Sequence, residues 1–213
     1  MEKSLRTTLI SDNGAVSPVI GVILMLLLTV LLAGITVSAV YGDDISGSLG
    51  KAPMAVIEVE SVEGGVPNNV QYKENYIVLL HKGGDHLHTG DAKIVITGEG
   101  SAYTGVFGSG LTRYGDIFII YDDLTVNGKD SPYASRNPDI LDGVWSTGEE
   151  LVLNGYDSAV GSDPSSVHVT INGMTNTSDN YGLKENSIIT VKIFDINTDK
   201  LIAELEHTVT PAE

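Results

Sequence analysis

The sequence predicts an α+β chain: a single N-terminal hydrophobic helix followed by an all-β, sandwich-like (immunoglobulin-like) globular domain. Three observations carry this. Between Ala15 and Gly42 no side chain is charged. After Tyr41 the apolar residues recur in short alternating runs of strand type, and no convincing helical period returns. Those runs are separated by Gly-, Asn- and Pro-rich connections, the spacing expected of a sandwich.

The helix comes first. In "SPVIGVILMLLLTVLLAGITVSAVY" (Ser17 to Tyr41) the serine can cap the N-terminus and Pro18 fits the first helical position, where its missing N–H costs nothing. At 1.5 Å per residue, Pro18 to Tyr41 covers roughly 36 Å, enough to cross a bilayer. A secretory signal has an apolar core of only about 7–15 residues, so this run is too long for one. Lys3 and Arg6 precede it and Asp43-Asp44 follow, which places the leader in the cytoplasm and the remainder outside. Gly21, Ala33 and Gly34 interrupt the long aliphatics and are candidate helix-packing positions, since small residues let helices approach closely.

Gly42, Gly47, Gly50 and Pro53 then end the helix and form a flexible neck, "GDDISGSLGKAP". The expected organisation is a leader at 1–14, the hydrophobic helix at 15–42, the neck at 43–53 and an extracellular β-domain at 54–213. Strands are expected at Ala55–Ser61, Asn75–His81, Ala92–Gly98, Asp116–Asp122, Glu149–Gly155, Ser166–Gly173, Asn186–Ile196 and Lys200–Val209, with a weaker candidate at Ala102–Phe107. Asn127-Gly128, Asn154-Gly155 and Asn172-Gly173 are turn signals. The last two strands, joined through Asn197-Thr198-Asp199, form a C-terminal hairpin. Long irregular segments at 127–147 and 156–164 are read as loops, where binding specificity usually resides.

Composition excludes several function classes. The chain has no cysteine, so disulfides, thiolate metal sites and cysteine nucleophiles are ruled out. Its net charge of −16 repels nucleic acid and anionic headgroups. There is no Gly-x-Ser-x-Gly elbow, no His-Glu-x-x-His and no phosphate-cradling loop. The paired acids Asp122-Asp123 and Glu149-Glu150 are sequence neighbours, which on strands point to opposite faces. No enzyme activity and no cofactor are expected.

One stretch is tempting as a site. "HKGGDHLHTGD" (His81 to Asp91) gathers three of the five histidines with two aspartates, a set able to ligate zinc or another divalent ion. The alternative is a tight turn, with Gly83 and Gly84 supplying backbone freedom and Asp85 bonding backbone amides. The turn is the preferred reading, with no metal. Asn176-Thr177-Ser178 is a candidate N-glycosylation acceptor at Asn176.

"NGAVSPVIGVILMLLLTVLLAGITVSAVYG" (Asn13 to Gly42) resembles the N-terminus of archaeal type IV pilins. The resemblance implies a short leader cut on the cytoplasmic side by a prepilin peptidase, with the hydrophobic segment kept on the mature protein. Carried over, Gly14 and Ala15 flank the scissile bond. Bacterial type IV pilins place a glutamate at the fifth mature position; here that position is Val19. The family resemblance also favours the turn reading of Gly83, Gly84 and Asp85. It implies a precursor in the cell membrane, then a surface filament outside an archaeal cell. The implied partners are other copies of the chain in a helical homopolymer, the peptidase, and an assembly ATPase with its membrane platform. The expected function is therefore a pilus subunit for adhesion or cell contact. The alternative is a membrane-tethered extracellular binding module that stays monomeric.

Overall fold

The computed structural model describes residues 16–41, 51–67, 69–105, 109–158 and 164–212. They fall into two units, one ending at Leu49 and one beginning at Gly50.

In the first unit, α1 runs Val16–Tyr41. Every side chain from Val19 to Ser38 is exposed, and that 20-residue stretch is long and apolar enough to cross a membrane. Its two threonines bond back to their own backbone. Thr29 Oγ1 donates to the Leu26 carbonyl at 2.8 Å, and Thr36 Oγ1 to the Leu32 and Ala33 carbonyls at 2.9 and 3.0 Å. The surface of α1 from Val19 to Ser38 thus offers hydrocarbon and small residues, with its two threonine hydroxyls already satisfied.

The second unit is a β-domain. Its strands are β1 Ala55–Gly64, β2 Tyr76–Gly84, β3 Leu87–His88, β4 Ala92–Thr104, β5 Leu111–Tyr121, β6 Val144–Trp145, β7 Glu150–Asn154, β8 Val167–Ile171, β9 Thr177–Leu183, β10 Ile188–Asp195, β11 Lys200–Thr208 and β12 Thr210–Pro211, with a short helix α2 at Ser131–Arg136. One sheet has the order β12-β1-β2-β7, and the other β11-β10-β4-β5-β8 with β9 also on β4. A two-stranded ribbon, β3-β6, lies apart. All pairings are antiparallel except β1 with β12.

Alternation explains the core. Ile77 and Leu79 of β2, Leu151 and Leu153 of β7, Ile117 and Ile119 of β5, and Ile189, Val191 and Ile193 of β10 all point inward. They join one hydrophobic cluster contributed by both sheets, with Trp145 buried in it. Fully burying an aliphatic side chain of this size is worth about 1.5–3 kcal/mol, which makes that cluster the main source of stability in the domain.

Two sheet edges are closed by side chains. On β7, Val152 N–H donates to Asn137 Oδ1 at 2.7 Å, while Asn137 Nδ2 donates to the Val152 carbonyl at 3.0 Å. On β8, Val167 N–H donates to Ser165 Oγ, Val169 N–H to Asp179 Oδ1, and Thr177 Oγ1 to the Val169 carbonyl. These contacts occupy the groups that would otherwise recruit another strand.

The structure differs from the sequence expectation in four places. Ala92–Gly98 and the start of the weaker candidate, Ala102–Thr104, lie on one long strand, β4, which pairs with β10 along its first half and β9 along its second; Val106 and Phe107 lie outside the described residues. The polar stretch after Asn176, for which no strand is expected from the sequence, contains β9, whose Thr177 and Asp179 work through hydrogen bonds and so show no apolar alternation. The 127–147 segment holds α2, capped by Asp130 accepting from Tyr133 N–H at 3.0 Å. The two-residue strands β3 and β6 are too short to show a period.

Candidate functional site: the apolar helix, the turn at β1 and a buried polar network

The residues singled out on α1 share one property. Gly21, Ala33 and Gly34 lie on the exposed surface of the helix, and a Cβ built on either glycine would meet nothing within 4 Å. Gly14 and Ala15 lie outside the described residues.

The His81–Asp91 stretch is built around the start of β1. Asp85 and Met54 bond reciprocally: Asp85 N–H donates to the Met54 carbonyl at 2.8 Å, and Met54 N–H to Asp85 Oδ2 at 3.0 Å. Gly84 has φ +96°, and a Cβ there would sit 2.2 Å from the Met54 carbonyl oxygen. Gly83 has neither a positive φ nor a neighbour within 4 Å. The backbone constraint therefore belongs to Gly84.

The three histidines separate. His81 is buried. Its Nε2 donates to the Asp85 carbonyl at 3.0 Å, and its ring meets the edge of Trp145 at 5.7 Å between centroids. His86 and His88 are exposed, their rings edge to face at 5.3 Å. Among the described residues, no three His, Asp or Glu side chains converge as a metal site would require. Asn176 is exposed just before β9, its carbonyl accepting from Gly105 N–H at 3.0 Å.

Sequence reasoning missed a buried polar network. Asp157 is fully buried between sheet and loop. Its carboxylate accepts from Tyr121 Oη at 2.7 Å, from Asn154 N–H at 2.7 Å and from Arg136. Arg136 also donates to Asp130 at 2.9 Å, and the Tyr121 and Tyr181 hydroxyls meet at 2.9 Å. Burial raises the Asp157 carboxyl to about 6, against the lowering effect of the Asn154 amide and Arg136. Burial likewise pushes both phenols up. Asn75 and Asn154 extend the network: Asn154 Nδ2 donates to the Lys73 and Asn75 carbonyls, and Asn75 Oδ1 accepts from Gly65 and Leu183 N–H. The available signal was compositional, nine tyrosines against three phenylalanines, because a buried tyrosine needs a partner for its hydroxyl.

Residues 14–55 match the family described as archaeal type IV pilin, N-terminal. This stretch is similar to the N-terminal segment of type IV pilins. That match covers α1 and reaches the first residue of β1. Pilins form a structural family rather than an enzymatic one, and the similarity together with the apolar helix fits a membrane-anchored precursor of a surface filament. No curated protein matches the chain.

Proposed function

We propose that this protein is the structural subunit of a type IV pilus-like surface filament, serving adhesion or cell contact. The observation that carries the proposal is α1 itself: a helix similar to that of pilins, exposed from Val19 to Ser38, with its threonine hydroxyls satisfied internally. Such a surface suits lipid before assembly and a bundle of like helices afterwards, because both environments are apolar. Head-to-tail association of identical subunits that does not close a ring gives an open helical polymer.

In this reading a prepilin peptidase cuts between Gly14 and Ala15, and the β-domain lies outside the cell. Gly21, Ala33 and Gly34 are the close-approach positions between helices. The Gly83–Asp85 turn is structural, holding the chain where it enters β1. Asn176 is an exposed glycan acceptor.

Shearing cells and imaging the released material with an antibody to the β-domain tests the proposal. Labelled filaments are expected. Recovery of the protein only as a detergent-extracted monomer would instead make it a tethered binding module.

A further inference from the structure

Two hollows in the β-domain, of about 810 and 720 Å³, share the residues Lys73 and Tyr156. Tyr156 is 42% exposed and stands between them as a ridge. Tyr72 lines the first hollow and Tyr76 the second. Among the described residues, neither the Tyr156 hydroxyl nor the Lys73 ammonium has a hydrogen-bond or ionic partner.

The ridge is rigidly mounted. Tyr156 N–H donates to Asn154 Oδ1 at 3.0 Å, while Asn154 Nδ2 holds the Lys73 carbonyl at 2.9 Å. One buried amide therefore fixes both shared residues. Gly155 closes the joint: a Cβ there would lie 2.2 Å from the Tyr181 carbonyl and 2.4 Å from that of Tyr72. Behind it stands the Asp157–Tyr121–Tyr181 network. These contacts fix the backbone from which Tyr156 and Lys73 project, so little backbone order is lost on binding.

We propose that this cleft binds a neutral polysaccharide, with Tyr156 stacking on the carbon face of one sugar ring and Lys73 donating to its hydroxyls. This rests on the adhesive part of the function proposed above and gives it a ligand class. Aromatic faces flanked by hydrogen-bonding side chains match a ring that is apolar above and hydroxylated at its rim. The two hollows on either side of one ridge suit consecutive units of an extended chain. The net charge of −16 disfavours polyanions, and Lys129 and Arg136 in the second hollow are already paired with carboxylates, which leaves Lys73 to donate to neutral hydroxyls.

The test uses the full chain in a zwitterionic detergent without a sugar headgroup. Cellopentaose, chitopentaose and mannopentaose are titrated calorimetrically, with heparin and a proline-rich peptide as the other ligand classes. At least one neutral oligosaccharide should bind. Tyr156→Ala should weaken it roughly tenfold or more, Tyr156→Phe should keep most of the affinity, and His88→Ala should leave it unchanged. Cells making Tyr156→Ala should still carry filaments, so loss of binding and loss of assembly are read separately. Failure of all three oligosaccharides, binding insensitive to Tyr156→Ala, or preference for heparin or the peptide would overturn the proposal.

Discussion

Gly84 and the two histidines beyond it separate scaffold from decoration. A side chain at Gly84 meets the Met54 carbonyl and must also adopt φ +96°, so Gly84→Val should destabilise the domain by about 1–3 kcal/mol or more. The double change His86→Ala with His88→Ala touches only exposed rings and should stay within about 0.5 kcal/mol. Thermal unfolding of the two variants measures both; equal losses would remove the structural role of the turn. Gly83→Ala is the internal control, since open space surrounds its Cβ position.

Asp157 gives the residue scale a pH signature. Its carboxyl is raised from 3.8 to about 6 in the fold, so the folded protein keeps a proton that the unfolded chain has released. The resulting stabilisation is full below about 3.8 and is lost as pH rises through about 6. It amounts to about 1.4 kcal/mol for each pH unit of displacement. The melting temperature of the native chain minus that of Asp157→Asn should therefore fall as pH rises from about 4 to about 6 and level off above that. A difference independent of pH would place the titration elsewhere.

Among the elements, the edge closures are the most exposed to mutation. Asn137→Ala leaves the Val152 N–H and carbonyl without their partner. Unpaired buried backbone groups cost about 1–3 kcal/mol, and an opened edge invites strand addition. Urea unfolding should show the loss, and light scattering should show association at concentrations where the native chain is dispersed.

Elements whose signal is apolar periodicity were legible in the sequence. These are α1, the alternating strands β2, β5, β7 and β10, and the hairpin of β10 with β11. β9, α2 and the β3-β6 ribbon were not, because they are held by side-chain hydrogen bonds, a cap and two-residue pairings. The same reason hid Asp157 and Arg136: sequence distance says nothing about which buried charges meet. His81 shows the converse. Its sequence neighbours suggested a ligand set, but the sheet turns it inward against Trp145 and leaves His86 and His88 outside.

On α1 the element-scale prediction concerns assembly. Gly34→Leu should reduce filament yield while leaving β-domain unfolding unchanged, if the small residues sit where helices meet. Val22→Asp should be more severe, because an unpaired charge is costly both in lipid and among packed helices. Filament counts by electron microscopy, beside the melting temperature of the β-domain, separate assembly from folding. Normal filaments carrying Gly34→Leu would remove the close-approach argument.

At the scale of the whole molecule, an uncharged helix and an acidic domain divide the work. The helix has an apolar surface that the described fold does not bury. The domain has its own core, two edges closed by side chains and a surplus of negative charge suited to staying dispersed in water. The central claim is that the helix is retained and used in a filament. The most direct measurement is the N-terminal mass of the protein recovered from shear-released filaments. A chain beginning at Ala15, with α1 intact, is the predicted result. A chain beginning after Ser38 or Tyr41, its helix removed, would contradict the account.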